Sequence, residues 1–400
     1  MRIIFVSNLT LWSMGKKNGG PAFTKTVKKY IDEGCDVYLI TDVKDNNNYD
    51  ELDKSHNIIL EPSFFHRYIG VRKIGLFFRY LDHMIISSRY KKEIARLVDD
   101  TEDVILYAYE IYGVKACAQI AKGKKIPLVT RFQGTILSQY ENNWKNRIKR
   151  YPHYQAIAER ADLVVMTDDG TQGDRILEEL GNNSKILFLR NGLDLISGSA
   201  LNGTFDRDEF RKEQFGVDIS ECIFLTVSRL VGWKKVDRAI KGFHSFAKLG
   251  GKGKLIIVGD GDEKKRLQNL AEQYDIADRV IFVGAIEHDR VYNYMRASDV
   301  FMSLYDLSNV GNPLLEAMTL GCCVVTLNVG DTYRIIEDKI NGRLLELDEL
   351  DRLGEIMHCL ANDVDIRRKF GQEAQAFARK NFYTWEERMD VEFQSVKSLL

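Results

Sequence analysis

The sequence lacks several features that would assign a protein to a class at once. Its six cysteines are scattered and include no CxxC pair, so neither a disulfide framework nor a cysteine zinc site is predicted. No apolar run approaches the roughly 18–20 residues that a membrane-spanning helix needs. The opening stretch MRIIFVSN is too short and too lightly charged for a signal peptide and instead predicts a β-strand. These absences favour a cytoplasmic protein with reduced thiols.

Charge balance and histidine spacing exclude two further kinds of protein. The 57 basic and 58 acidic residues leave a net charge of −1, so any anion site must be local. The seven histidines show no HExxH-type spacing, and we predict no metal and no cofactor. The GDG at 259–261 lacks the third glycine of a dinucleotide fingerprint, so that signal is weak. The overlapping DGD at 260–262 is better interpreted as a tight turn than as paired carboxylates on a metal.

What the sequence does contain is an alternation of short β-rich apolar runs with longer amphipathic segments. The runs predict buried parallel strands at 2–8, 36–41, 103–109, 126–132, 162–167 and 185–190, and again at 222–230, 254–261, 279–285, 299–305 and 322–328. The Gly-, Ser- and Asn-rich stretch 191–203 between the two sets has no helical period. We therefore predict an α/β fold with two doubly wound domains, residues 1–190 and 191–378, followed by a C-terminal helix within 379–400.

Ligands in doubly wound sheets bind at the carboxyl ends of the strands, and the cleft between two such domains is the expected site. Arg229 and Lys234 follow a predicted strand in the sequence SRLVGWKK (228–235). Two cations so close together favour an anion, and a diphosphate is the natural candidate. A solvated basic loop is the alternative interpretation.

The stretch NPLLEAMTLG (312–321) predicts a helix with a ligand-binding start. Asn312 suits the N-cap, Pro313 the first helical position and Gly321 the C-terminal stop. Free N–H groups and the positive end of the helix dipole favour a phosphate there. Glu316, one turn into the helix, is placed to accept hydrogen bonds from a ribose diol. Alternatively it is a surface glutamate that complements the dipole, which is worth roughly 0.3–1 kcal/mol.

A third glycine-containing segment lies near the amino terminus. Gly19 and Gly20 precede Pro21 and a predicted helix. Glycines let a ligand approach the backbone closely, and the helix start again offers N–H donors. A plain flexible turn explains the pair nearly as well.

Taken together, these segments resemble the family-4 glycosyltransferases (glycosyl transferases group 1) of the GT-B fold over nearly the whole chain. The likeness rests on the order and spacing of Gly19-Gly20, RFQG (131–134), RNGLD (190–194), SRLVGWKK (228–235), LIIVGDG (255–261), VIFVGAI (280–286), the stretch ending in Glu316, and YTWEER (383–388). The resemblance implies two Rossmann-like domains facing a cleft, with the acceptor in the first domain, the donor in the second, and the last helix crossing back. It implies a retaining, hexosyltransferase-type enzyme that uses a UDP- or GDP-sugar.

The resemblance also implies roles for individual residues. By position, Arg229 and Lys234 would hold the donor diphosphate, and Glu316 would hold the ribose. The remaining donor-binding residues that the resemblance implies are Gly284, Ala285 and Ile286 at the base, Asn309, Val310, Gly311 and Asn312 at the sugar and β-phosphate, and Gly19 and Gly20 over the phosphates.

Two positions depart from the family pattern, which has two glutamates with seven residues between them. Ser308 occupies the first of these positions, and Gln133 stands where many members have a histidine near the sugar. Asp306 could supply the carboxylate missing at position 308 only if its loop is rearranged. An active transferase with an altered sugar pocket fits these changes, and so does a non-catalytic nucleotide-sugar-binding partner subunit. An isomerase, a phosphorylase or a hydrolase on the same fold is a further alternative.

Residues 64–92 are rich in basic and aromatic side chains and contain one acid, Asp82. Their basic residues are Arg67, Arg72, Lys73, Arg79, Arg89, Lys91 and Lys92. Such a stretch suits an anionic membrane surface, although a packed helix with a solvated basic face is the alternative. No recognition motif for nucleic acid accompanies the charge. We expect a saccharide or lipid-linked acceptor, cell-surface polysaccharide or glycolipid synthesis, and peripheral contact with the inner face of the membrane.

Overall fold

The computed structural model describes residues 1–7, 21–41, 54–72, 74–98, 103–194, 205–217 and 221–400. These residues form two compact units. Unit 1 comprises Met1–Asp168, Gln172–Arg190 and Trp385–Leu400, and unit 2 comprises Asp169–Thr171 and Asn191–Thr384.

Unit 1 is built on a parallel sheet with the described strands in the order β3-β2-β1-β4-β5-β6-β7. The strands are β1 (Arg2–Ser7), β2 (Asp36–Thr41), β3 (His56–Ile59), β4 (Val104–Tyr109), β5 (Leu128–Phe132), β6 (Leu163–Thr167) and β7 (Ile186–Leu189). Its helices are α1 (Pro21–Asp32), α2 (Gly75–Leu97), α3 (Ile111–Lys124), α4 (Trp144–Lys149), α5 (Tyr151–Ala158), α6 (Gly173–Glu179) and α14 (Trp385–Lys397). The central strands β4, β5 and β6 are buried along their whole length, as expected for parallel strands covered on both faces.

A buried ion-pair network fastens helix α14 to unit 1. The Glu392 carboxylate pairs with Arg131 at 3.0 Å and with Arg388, and it accepts a hydrogen bond from the Tyr107 hydroxyl. Burial alone would raise the pKa of Glu392, but the two guanidinium groups outweigh it and hold that pKa below its ordinary value. The last helix is therefore an integral part of unit 1.

Unit 2 is built on a second parallel sheet, with the described strands in the order β10-β9-β8-β11-β12-β13. The strands are β8 (Cys222–Val227), β9 (Gly253–Val258), β10 (Val280–Gly284), β11 (Val300–Ser303), β12 (Cys323–Leu327) and β13 (Arg343–Leu345). Its helices are α7 (Arg207–Phe215), α8 (Val236–Lys248), α9 (Lys264–Gln273), α10 (His288–Ala297), α11 (Asn312–Thr319), α12 (Leu353–Asn362) and α13 (Val364–Asn381).

The predicted α/β class is confirmed, and each apolar run predicted as a strand contains one. Two strands at sheet edges, β3 and β13, were not predicted. Strand β3 is largely exposed and β13 has three residues, so neither carries the buried apolar run that marks a central strand. No helix within the described ranges is long and apolar enough to cross a membrane.

Candidate functional site

The predicted donor residues of unit 2 follow two strands that lie side by side. The order of the sheet reverses between β8 and β11, so the chain leaves these neighbouring strands at the same edge. Arg229 and Lys234 lie in the loop after β8, and Ser308 lies in the loop after β11. Such a reversal point is where ligands bind in open α/β sheets.

A glycine turn after β9 holds the loop that carries Arg229. Gly259 and Gly261 have φ values of +134° and +155°, which side chains rarely permit. A Cβ atom at Gly259 would lie 1.8 Å from the carbonyl oxygen of Ser228, and one at Gly261 would lie 2.4 Å from that of Leu230. The two glycines therefore let the turn pack against the backbone on either side of Arg229, in agreement with the predicted tight turn.

Lys234 is held against aromatic rings. Its Nζ lies 3.9 Å from the centre of the Tyr305 ring and 4.3 Å from that of Trp233. Burial lowers the pKa of Lys234 to about 7; the Asp169 carboxylate opposes this shift and the Arg229 guanidinium adds to it. An incoming anion would therefore meet an ammonium group that has lost much of its hydration.

The neighbouring Lys235 has a different role. Its ammonium lies 3.4 Å from the Asp306 carboxylate, which also pairs with Arg238 at 2.7 Å. Asp306 is thus held by two cations on the side of helix α8. The structure gives no support for Asp306 as a replacement for the carboxylate missing at Ser308.

A buried amide shapes the loop between β11 and α11. The Asn309 side chain accepts a hydrogen bond from the Tyr305 N–H at 3.2 Å and donates one to the Tyr305 carbonyl at 2.9 Å. Ser308 has a φ of +56°, a left-handed conformation that is uncommon for a residue with a side chain. The Val310 N–H donates to the Asp169 carbonyl at 3.1 Å. The loop is therefore folded tightly on itself and against Asp169.

Helix α11 starts one position earlier than predicted. Its N-cap is Gly311, with φ −90° and ψ 166°, so the prediction of Asn312 as the N-cap was wrong. Asn312 is instead the first helical residue, and its side-chain oxygen accepts a hydrogen bond from Asn191 at 3.0 Å. Gly321, with φ +74°, follows the C-cap as predicted.

Glu316 is buried and paired with a histidine. Its Oε1 lies 2.8 Å from Nε2 of His288, the first residue of helix α10. Burial alone would lower the pKa of His288, but the hydrogen bond and charge of Glu316, with the charge of Asp194, outweigh it and raise the pKa. Glu316 is not the exposed, dipole-complementing glutamate of the alternative interpretation, because its side chain is 3% exposed.

The predicted base-binding segment begins at the last residue of β10, the strand at one edge of the second sheet. Gly284 is buried, has a φ of +85°, and accepts a hydrogen bond from the Gly259 N–H at 2.9 Å. Ala285 is exposed, and Ile286 packs against the hydrophobic core. Their part in binding a base remains a prediction.

The other predicted donor-binding residues belong to the amino-terminal part of the chain. Gln133 lies in unit 1, where its side chain bonds the Tyr109 hydroxyl and accepts from Thr167 at 3.4 Å. Gly19 and Gly20 lie outside the described residues. In the part of the chain that the structure describes, no group of three or more His, Cys, Asp or Glu residues is arranged to hold a metal ion.

Two neighbours of the predicted residues were missed by sequence reasoning. Asp169 follows β6, the Ser308 hydroxyl stabilises its charged form, and its carboxylate interacts with Lys234. His288 follows the predicted base-binding segment and bonds Glu316. The signal for Asp169 was its place two residues after the buried strand 162–167, near the ligand-binding edge.

Comparison with known proteins shows a family match within unit 2 and the fold of the whole chain. Residues 207–377 match the family model described as Glycosyl transferases group 1. The structure of Anabaena HepE in complex with UDP superposes over the whole of both chains, with a TM-score of 0.73 and 18% identity. The chain thus has the GT-B fold. The match covers less than half of the 400-residue chain, and residues 207–377 form a glycosyl transferases group 1 domain.

Two relatives extend the comparison beyond the matched domain. An uncharacterized glycosyltransferase of Methanocaldococcus jannaschii is 27% identical over 264 residues, which is 65% of each chain. The N-acetyl-alpha-D-glucosaminyl L-malate synthase of Bacillus anthracis is 26% identical over 370 residues, 91% of this chain and 89% of the relative. The likeness to the second of these includes both units.

Proposed function

We propose that the protein is a retaining glycosyltransferase that moves a sugar from a UDP- or GDP-sugar to a saccharide or lipid-linked acceptor without a metal ion. The observation that carries this proposal is the poorly hydrated Lys234 ammonium at the strand-order reversal of unit 2, beside Arg229. The UDP complex of the structural neighbour supports testing UDP first.

The chemistry follows from where charge develops. Breaking a glycosyl–phosphate bond builds negative charge on the leaving diphosphate and positive charge on the sugar ring. Lys234 and Arg229 stabilise the diphosphate, together with N–H groups at the start of α11. Because these groups are already oriented, little reorganisation is needed as the bond breaks. Glu316, held by His288, accepts hydrogen bonds from the ribose.

Nucleotide binding is the first test of this proposal. We expect UDP or GDP, but not both equally, to raise the melting temperature of the wild-type protein. Ligand at about 100 times its Kd adds roughly 2.7 kcal/mol to the free energy of unfolding. The Lys234→Ala variant, compared with its own unliganded melting temperature, should lose most of that shift. A nucleotide shift that is unchanged in Lys234→Ala would contradict the assignment.

A non-catalytic, nucleotide-sugar-binding partner subunit is the second candidate function. The serine at position 308 favours it, because a hydroxyl carries no charge and reaches less far than a glutamate. Both functions predict nucleotide binding. Only turnover of the sugar donor distinguishes them.

We further propose that unit 1 contacts an anionic membrane surface. What we call the aromatic surface consists of Phe64–Arg72, Ile74–Tyr80 and Trp144–Pro152, and on it Phe77 and Trp144 are 61% and 68% exposed. Between the last two of these segments lies a groove of about 410 Å³, lined by Leu76, Phe77, Arg79, Tyr80, Ile148, Lys149, Tyr151 and Pro152. Exposed aromatic groups beside an apolar groove are suited to the boundary between headgroups and acyl chains.

The charge on the aromatic surface selects an anionic lipid. Arg79 and Lys149 line the groove, and Arg67 lies 4.3 Å from the centre of the Phe64 ring. Burial, together with the charges of Arg79 and Arg150, lowers the pKa of the nearby His153 to about 4. The local field is therefore positive. Lys73, which the sequence included in this stretch, lies outside the described residues.

A further inference from the structure

The carboxylate of Asp169 joins two residues that the sequence assigned to the donor. The Asp169 backbone carbonyl accepts a hydrogen bond from Val310, two residues after Ser308. The Ser308 hydroxyl stabilises the charged form of Asp169, whose charge acts on the Lys234 ammonium. The loops that carry these two residues follow β11 and β8, the strands at which the order of the sheet reverses. Asp169 therefore lies at the predicted diphosphate site although it follows a strand of the other sheet.

The position of Asp169 is fixed through its side chain and its backbone. Its Oδ1 accepts hydrogen bonds from the Thr171 N–H at 3.1 Å and the Thr171 hydroxyl at 2.6 Å. Its carbonyl accepts from the Val310 N–H at 3.1 Å. Gly170, with a φ of +86°, allows this approach, because a Cβ there would lie 3.0 Å from a Val310 methyl carbon. The carboxylate is thus pre-oriented rather than a mobile surface group.

A carboxylate beside a diphosphate site is unfavourable unless it has a further partner. It repels the diphosphate, and burial raises the pKa of Asp169 only to about 6, so the group is mostly charged at pH 7. An ionised carboxylate accepts hydrogen bonds and donates none. The groups of a nucleotide-diphosphate sugar that donate to it are hydroxyls, which lie on the ribose and on the transferred sugar. The ribose hydroxyls are already assigned to Glu316.

We propose that Asp169 determines donor-sugar specificity by accepting hydrogen bonds from hydroxyl groups of the transferred sugar. It supplies, from the end of β6, the carboxylate that Ser308 does not supply, and Ser308 and Thr171 orient it. This inference rests on the proposed function and names a further residue of the same site.

The experiment compares the affinities for two ligands and does not measure catalytic activity. The Kd of the nucleoside diphosphate that binds, and the Kd of its sugar conjugate, are measured by calorimetry for wild type and Asp169→Asn. The asparagine retains an oxygen for Thr171, so the fold is expected to persist. We expect the sugar conjugate to bind about 10- to 100-fold more weakly to the variant, because a charged hydrogen-bond acceptor is lost. The affinity for the diphosphate alone should stay equal or rise, because a repelling charge is removed.

Asp306→Asn is the matched control. It removes the same charge two positions from Ser308, but that carboxylate pairs with Arg238 and Lys235. We expect it to leave the ratio of the two dissociation constants unchanged. Adding Ser308→Glu to the Asp169→Asn variant should bring the ratio of the two dissociation constants part of the way back to the wild-type value. A merely structural role of Asp169 does not predict this recovery. Should Asp169→Asn prove unfolded, Ser308→Ala removes the orienting hydroxyl and should shift the ratio in the same direction.

The outcomes separate this inference from the proposed function. Binding of both ligands with an unchanged ratio in Asp169→Asn and in Ser308→Ala would overturn the role of Asp169 and leave the transferase proposal standing. Failure of every nucleoside diphosphate to bind wild type would overturn both.

Discussion

At the scale of single residues, the candidate site depends on Lys234, whose charged form is disfavoured by burial until an anionic ligand binds. The Lys234 ammonium lies over two rings, beside the Arg229 charge, and burial lowers its pKa to about 7. A diphosphate would stabilise the charged form and raise that pKa. Binding of the diphosphate and protonation of Lys234 are therefore linked.

This linkage predicts a pH dependence of nucleotide affinity. Only the protonated ammonium attracts the diphosphate, and its fraction falls as pH rises through about 7. The affinity should thus decrease by about 10- to 50-fold between pH 7 and pH 9, with proton uptake on binding at the upper end. Calorimetry in buffers of different ionisation enthalpy measures both quantities.

Lys234→Arg is the matched control for this pH dependence. A guanidinium remains charged throughout the range, so the affinity of this variant should vary less with pH than that of wild type. The pairing with Glu316 raises the pKa of His288. We attribute to this pair any change of nucleotide affinity with pH that remains in Lys234→Arg. An equal slope in wild type and Lys234→Arg would mean that Lys234 does not titrate in the free site.

At the scale of secondary-structure elements, helices α2, α4 and α5 and the segment before α2 carry the aromatic surface. Helix α2 buries Ile86, Tyr90 and Ile94 in the core of unit 1, but other apolar side chains on α2 and α4 are exposed. Leu76 and Phe77 are exposed on α2, and Ile148 is exposed on α4. Exposed apolar groups in one contiguous patch indicate an interaction site more often than scattered ones do.

The aromatic surface predicts preferential binding to anionic vesicles. The protein should co-sediment with phosphatidylglycerol vesicles and much less with phosphatidylcholine vesicles, and added salt should weaken binding. Replacing Arg79 and Lys149 with glutamine should lower the partition coefficient about tenfold or more, since each cation contributes about 1 kcal/mol. Phe77→Ser should weaken binding by a similar amount through lost apolar contact.

The control for the vesicle experiment lies on unit 2. Lys248→Gln with Leu249→Ser removes one exposed cation and one exposed apolar side chain away from the aromatic surface. This pair should bind vesicles as wild type does. Equal losses in the two sets of variants, or equal binding to both kinds of vesicle, would argue against a membrane role for the aromatic surface.

At the scale of the whole molecule, the sequence predicted central strands better than the groups that meet at their ends. The runs that became β8 and β11 were recognisable because buried parallel strands are continuously apolar. The exposed strand His56–Ile59 carried no such pattern. The helix start was misplaced by one residue because Asn312 bonds Asn191 instead of capping.

The contacts of Asp169 illustrate what the sequence could not predict. Asp169 is far along the chain from Lys234 and Ser308, and only the packing of residues 169–171 in unit 2 brings the three together. Spacing rules apply within one element and do not reveal contacts that form through a fold. By contrast, Glu316 could be predicted, because its place one turn into a helix is a local property.

Turnover of the sugar donor tests the central claim most directly. The protein is incubated with the sugar conjugate of the nucleoside diphosphate that binds, and with octyl glucoside as a model acceptor that joins sugar hydroxyls to an apolar chain. We predict release of the nucleoside diphosphate and a glycosylated product detectable by mass spectrometry, with the rate reduced about 10²- to 10³-fold in Lys234→Ala. Tight binding of the donor without release above the rate of Lys234→Ala, in water or with acceptor, would contradict a transferase and favour the non-catalytic partner.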